Sequence, residues 1–262
     1  MHSPPSANRN SRTNSVSKSK VIAVTGASRG IGAAIALELA HRGFTVACLT
    51  RKGKGPEVQG AKALAARFID VACDVTDEAS LKSAFAEVAQ KAGALNGLVN
   101  NAGIHLDGPS HELATATYEK VMMTNATAVF AACREAFPHL VKSGGGAIVN
   151  IGSFFDKIGV KRNVAYCASK AAVGAITRCL AVEWANRGIR VIDVAPGYIV
   201  TDLNREAMTS GALADYLKKR IPSGATGATA DVAKLVAAIF SEDIPFLSGE
   251  TIYIDGAQGI NH

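Results

Sequence analysis

The segment Thr25-Gly26-Ala27-Ser28-Arg29-Gly30-Ile31-Gly32 does most to limit what this chain can become. It is entered from a β-branched apolar run, VIAVT at 21–25, and left through the alanine-rich stretch 32–41. A strand must therefore turn sharply into a helix. Glycine tolerates backbone angles that other residues resist, and its missing side chain lets a strand, a helix or an anion come close. The first turn of that helix offers unpaired N–H groups and the positive end of the helix dipole, which suits a phosphate. The spacing, G-x-x-x-G-x-G, differs from the more familiar G-x-G-x-x-G. A plain glycine-rich turn would look the same in isolation, so the rest of the chain decides.

The rest repeats the unit. Short β-branched runs at 44–49, 68–72, 97–99, 147–151, 189–195 and 250–254 alternate with helical stretches that open near Asp77 and cover about 118–140 and 165–186. Strands separated by helices predict an α/β fold, a single doubly wound parallel sheet. A chain of 262 residues fits one such domain. Segment 52–60 holds three glycines and a proline, which predicts a short, loop-like crossover. Segment 197–227 follows a strand end and mixes helical pieces with glycine and proline, as a mobile substrate lid would.

Composition narrows the class. Hydrophobic residues make up 48% of the chain and charged residues 19%, a globular balance. No apolar run approaches the roughly 18 residues that a membrane span needs. Of the +6 net charge, Arg9, Arg12, Lys18 and Lys20 carry +4, leaving +2 for the rest, so the basic balance gives little support for nucleic-acid binding. Residues 1–19 are polar and nearly free of apolar side chains, which predicts a disordered tail ahead of a domain over 20–262. Such acid-free ends also occur in organelle-targeting segments, but this one lacks an apolar face. Five scattered cysteines without a C-x-x-C imply a reducing, cytoplasmic setting, and no ligand cluster for a metal is visible.

The second strand bears on the kind of dinucleotide. A site for a free ribose 2′-hydroxyl usually places an acid at that strand's end, whereas a 2′-phosphate needs cations. Here the strand runs into Thr50-Arg51-Lys52-Gly53-Lys54, and Arg29 adds a cation from the glycine loop. A solvated basic turn fits the same residues. Guanidinium pairs with phosphate through bidentate bonds, so Arg51 with Arg29 points to NADP(H) over NAD(H).

Tyr166 and Lys170 stand four residues apart in AYCASK, thirteen residues after Ser153. On a helix the two share a face. A phenol titrates near pH 10, and a neighbouring cation favours the phenolate, which would fit Tyr166 for proton transfer. On most helices such a pair is simply a solvated face.

With TGASRGIG at 25–32, Asn100-Asn101-Ala102-Gly103 after the fourth strand, Asp74 in CDVTD, Asn125 in TNATAVF, Ser153…Tyr166-x-x-x-Lys170 and Pro196-Gly197 in APGYIVTDL, the chain resembles the short-chain dehydrogenase/reductase family over roughly residues 20 to 258. The resemblance implies a Rossmann fold and a hydride transfer between a nicotinamide cofactor and a carbonyl or secondary alcohol. It implies that Gly26, Ser28, Arg29, Gly30, Ile31, Gly32 and Arg51 hold the phosphates and adenosine ribose. Asp74 and Val75 would flank the adenine, and Asn101, Ala102 and Gly103 would line the cleft. Pro196, Gly197, Ile199 and Thr201 would meet the nicotinamide end. Tyr166 would be the general acid/base, Ser153 would hold the substrate oxygen, Lys170 would bind the nicotinamide ribose and lower the Tyr166 pKa, and Asn125 would complete a water-linked relay.

Substrate choice would fall to Ser153, Phe154, Phe155, Tyr166 and Tyr198, with His105, Asp156, Lys157 and the lid beside them. Phe154 and Phe155 predict an apolar wall, while Lys157, Lys161 and Arg162 are either a solvated loop or an anion-attracting rim. Resemblance to 3-oxoacyl-carrier-protein reductases would place two arginines near the active-site mouth; Arg187 matches one, but Gly144 stands at the other position. That departure weakens the fatty-acid assignment; the expected substrate is a ketone or 3-oxoacyl thioester, with a sugar or polyol dehydrogenase using NAD, or a catalytically silent NADP-binding regulator, as alternatives. The expected partners are a small-molecule substrate and further copies in a homodimer or homotetramer.

Overall fold

A computed structural model describes residues 19–242 and 244–261. The expectation for residues 1–19 therefore lies, apart from Ser19, outside the described residues. Strands β1 (Val21–Thr25), β2 (Thr45–Thr50), β3 (Phe68–Ala72), β4 (Gly97–Asn100), β5 (Gly146–Ile151), β6 (Ile189–Pro196) and β9 (Thr251–Ile254) form one seven-stranded sheet in the order β3-β2-β1-β4-β5-β6-β9. Every pairing in it is parallel. Such strands are covered on both faces, which is why β1 is buried at all five positions rather than at alternate ones. The strand order reverses between β1 and β4, and the crevice at their C-terminal ends is where this architecture binds ligands.

Helices α1 (Gly30–His41) and α8 (Thr229–Ser241) pack together against one apolar cluster with Ile35, Leu39, Val236 and Phe240. Helices α2 (Glu78–Ala92), α4 (Ala128–Lys142) and α5 (Val164–Trp184) bury Leu81, Phe85, Leu140 and Val173 in the other. Helix α2 opens where Asp77 predicts it. The Asp77 carboxylate accepts from the backbone N–H groups of Ala79 and Ser80.

Several expectations need refinement. The helix expected over 118–140 is α3 (Thr115–Met122), a π-helical turn at Met123–Thr127, and α4. The crossover after β2 contains a 3-10 turn, Ala61–Arg67, behind its loop. Helix α8 is absent from the sequence reading above, because its surface-to-core rhythm is hidden in an alanine-rich stretch. Segment 197–227 holds the short pair β7 (Ile199–Val200) and β8 (Gly227–Ala228), with α6 (Arg205–Thr209) and α7 (Gly211–Arg220) between them.

Candidate active site

The crevice is built first from backbone. Gly26 and Gly30 adopt positive φ, and a Cβ on Gly32 would overlap the Gly26 carbonyl and the Asn101 amide. Only glycine lets α1 start this close to β1. Across the crevice, Asn101 Nδ2 donates to the carbonyls of Thr25 (3.1 Å) and Gly26 (3.2 Å). Thr25 Oγ1 accepts from the N–H groups of Asn101 and Ala102. The ends of β1 and β4 are thus fastened together by the motif residues themselves.

The fit to a dinucleotide rests on α1. Its N-cap, Arg29, gives no side-chain bond to the first turn, and that turn contains no acid, so its N–H groups and dipole are left for an anion. Gly30 faces Thr201, whose methyl would lie 3.7 Å from an added Cβ, so the loop and the strand-end residues bound one space. Ser28 and Ile31 lie in the same turn, and the carbonyl of Ser28 accepts from Glu57 N–H, which folds loop 52–60 back onto it. Arg29, Arg51 and Lys52 are exposed. Asp74 is exposed with its carboxylate held low by Thr76 and, more weakly, by Arg51. Val75 is half-buried beside it, as are Gly197 and Thr201, while Pro196 and Ile199 are buried.

The chemical residues gather past β5. Ser153 caps the 3-10 turn Phe154–Asp156, its Oγ accepting from Phe155 N–H at 3.2 Å. Tyr166 comes from the first turn of α5, and burial pushes its phenol pKa up while hydrogen bonding with Ser153 pulls it back. Lys170 lies 5.6 Å from the Tyr166 ring centre, but its amine donates to the Ile151 carbonyl at 2.7 Å. Burial lowers the Lys170 pKa to about 8, opposed by Asp193, and raises that of Asp193 to about 6, opposed first by Lys170.

Asn125 sits in the π-helical turn and is fully buried. Its Oδ1 accepts from Ile104 N–H (2.8 Å), and its Nδ2 donates to the Ile104 carbonyl (2.8 Å) and Ser169 Oγ (3.1 Å). Both amide donors are committed, so a relay through Asn125 has to use its main chain. A Cβ on Gly103 would lie 3.3 Å from Asn125 Oδ1, which ties the strand-end motif to this turn.

Phe154 and Phe155 do form an apolar wall. Their ring centres lie 5.4 and 6.0 Å from Tyr198, and Phe155 lies 5.8 Å from Tyr166. Beside them opens a cavity of about 540 Å³, lined also by Tyr216, Arg220 and Gln258. Two of the three rim cations are committed elsewhere: Lys157 rests on the Tyr253 ring, and Arg162 pairs with Asp107 at 3.1 Å. His105 tilts against Tyr166 with ring centres 4.6 Å apart and bonds Asn163, which makes it a wall residue; His111 pairs with Glu112, and His139 is half-buried on α4. Arg187 and Gly144 precede β6 and β5, at the N-terminal end of the strands and opposite Ser153, so within one chain they do not flank the site. Sequence reasoning missed Asp193, Arg220 and Gln258. A lone acid inside the apolar strand IRVIDVAP was the signal available for the first.

A family profile described as enoyl-(acyl carrier protein) reductase matches residues 26–258, from the glycine loop to the last turn. The chain belongs to the short-chain dehydrogenase/reductase family. Among its relatives, D-threitol dehydrogenase of Mycolicibacterium smegmatis is 35% identical over 243 residues, covering 92% of this chain and 93% of the relative. The human 3-oxoacyl-[acyl-carrier-protein] reductase is 36% identical, covering 90% and 97%. Among solved structures, Thermoplasma acidophilum aldohexose dehydrogenase superposes with a TM-score of 0.83 at 29% identity, covering 94% of this chain and 96% of its own. A Serratia marcescens short-chain dehydrogenase/reductase variant gives 0.82 at 32%, covering 92% and 98%. As a short-chain dehydrogenase/reductase, the protein is an oxidoreductase of the alcohol/carbonyl class, and the family implies a nicotinamide cofactor. No described helix is long and apolar enough to cross a membrane.

Proposed function

We propose that the protein is an NADP(H)-dependent enzyme that interconverts a ketone or 3-oxoacyl thioester with a secondary alcohol. The observation that carries this reading is the convergence of Ser153, Tyr166 and Lys170 past the C-terminal end of β5, at the same end of the sheet as the uncapped start of α1. Gly26, Ser28, Arg29, Gly30, Ile31 and Gly32 hold the pyrophosphate, with Arg51 and Arg29 on a 2′-phosphate. Asp74 and Val75 flank the adenine, Asn101, Ala102 and Gly103 line the cleft, and Pro196, Gly197, Ile199 and Thr201 face the nicotinamide. When bound, the cofactor supplies or accepts the hydride. Tyr166, kept protonated by burial, gives its proton to the carbonyl oxygen during reduction, and Ser153 donates to the same oxygen as charge builds there. Lys170 holds the ribose and, as a cation, favours the phenolate left behind. Asn125 links this group to water through its main chain.

Phe154, Phe155 and Tyr198 receive the apolar part of the substrate, and segment 197–227 closes over it. The protein works in the cytoplasm as a homodimer or homotetramer, with no role for nucleic acid or membrane. A polyol or sugar substrate is the second reading, favoured by the likeness to a protein named D-threitol dehydrogenase. A panel of acetoacetyl thioester, cyclic ketones and sugar ketones, followed by NADPH absorbance, separates the two. Tyr166→Phe should reduce turnover by about 10²- to 10⁴-fold while NADPH still binds; retained turnover would remove Tyr166 from the mechanism. Arg51→Asp should reverse the preference between NADPH and NADH, and an unchanged preference would end the 2′-phosphate assignment.

A further inference from the structure

Asp193 lies on β6, fully buried, in a strand whose other positions are apolar apart from Arg190. Two features mark its surroundings. First, its carboxylate crowds Gly152: a Cβ there would overlap Oδ1 and lie 2.7 Å from Oδ2. Lys170 Nζ donates to the carbonyl of Ile151, the other half of the same peptide. The ammonium and the carboxylate therefore converge on the Ile151–Gly152 link from α5 and β6, one residue before Ser153. Second, Asp193 is poorly satisfied. Oδ2 accepts from Thr251 Oγ1 at 3.2 Å and the backbone N–H of Gly152 also favours the ionised form, whereas the buried Oδ1 makes no bond of good geometry.

We infer that Asp193 is a positioning residue for Lys170: the buried carboxylate and the amine meet the same Ile151–Gly152 peptide, and their opposite charges hold the amine beside Tyr166. This rests on the reading of Lys170 as a working cation. Asp193 and Lys170 make no direct ion pair among the described residues, so the carboxylate acts through the low-dielectric interior rather than by contact. An amine this buried loses its proton readily unless an opposite charge is near. Asp193 meets that need: burial alone drives the Lys170 pKa down, and the Asp193 charge is what opposes it.

The groups facing this pair are few. Tyr166 lies beside Lys170 on α5, and Thr251 of β9 donates to Asp193. Asp156, in the turn after β5, opposes ionisation of Asp193 and itself accepts from Tyr253 of β9, next to which Arg178 of α5 stands. Asp156 Oδ1 is likewise buried without a partner, and Lys170 is the one cation among the groups that act on Asp193.

A structural role alone would leave the Lys170 titration unmoved, so the titration is the test. Lysine labelled at 13Cε is followed by NMR against pH in the full-length protein, without substrate, and the Lys170 signal is assigned by its loss in Lys170→Met. The wild type should titrate near 8. Asp193→Asn, close in shape but neutral, should titrate lower by about one pH unit or more, and Asp193→Ser gives the same reading should the amide variant fail to fold. The alkaline limb of kcat/KM for carbonyl reduction should move down by the same interval. An Lys170 midpoint within about 0.3 unit of wild type in either neutral variant overturns the inference. The NMR titration needs no turnover, so failure of the proposed reaction and failure of this inference remain distinguishable.

Discussion

Asn125 shows how a residue expected to serve chemistry can also serve architecture. Its amide holds both main-chain groups of Ile104 and the hydroxyl of Ser169, which fastens the loop after β4 to α5 next to Tyr166. Asn125→Ala would leave those buried partners unpaired, and should destabilise the fold by about 2 to 3 kcal/mol in urea unfolding while lowering turnover. Lost turnover at unchanged stability would instead make Asn125 purely chemical. At this scale the sequence was most legible where a fixed spacing is local: Tyr166 and Lys170 share a face of α5 as the helical repeat requires. It was least legible for Asp193, because an acid in an apolar strand acquires meaning only once the strand's two faces are assigned.

At the scale of elements, the glycine loop sets a steric condition with a sharp consequence. A methyl group on Gly32 would occupy the space of the Gly26 carbonyl and the Asn101 amide, pushing α1 away from the joined ends of β1 and β4. Gly32→Ala should weaken nucleotide binding by tenfold or more, about 1.4 kcal/mol, although it touches none of Ser153, Tyr166 and Lys170. Fluorescence titration with NADPH checks this, and native affinity in the variant would mean that the loop can open without loss. The elements that sequence periodicity rendered well were those with a strong local rule, such as the β-branched strands and the Asp77 cap. The π-helical turn at Met123–Thr127 carries no such rule. It places Asn125 where its amide bonds both main-chain groups of Ile104, a tertiary contact that sequence periodicity does not encode.

Over the whole molecule, the buried Lys170 and Asp193 set a pH dependence whose sign follows from their shifts. Asp193 titrates near 6, above the unfolded value of 3.8, so its contribution to stability is complete below 3.8 and is lost as pH rises through 6. Lys170 titrates near 8, below the unfolded value of 10.5, so its contribution is complete above 10.5 and is lost as pH falls through 8. Both contributions are therefore at their smallest between pH 6 and 8, where both groups are charged and the desolvation of each opposes folding. Such a pair costs stability at neutral pH. Replacing both with apolar residues, as in the double variant Lys170→Met with Asp193→Leu, should abolish turnover and raise the melting temperature at pH 7. The rise should be several degrees, at about 2 to 4 °C for each kcal/mol of relieved desolvation. Scanning calorimetry across pH 4 to 10 provides the comparison. The gain should shrink toward the acidic end, where wild-type Asp193 is already neutral, and toward the alkaline end, where Lys170 is. A double variant less stable than wild type at pH 7 would show that the pair holds the fold together, and would contradict this account.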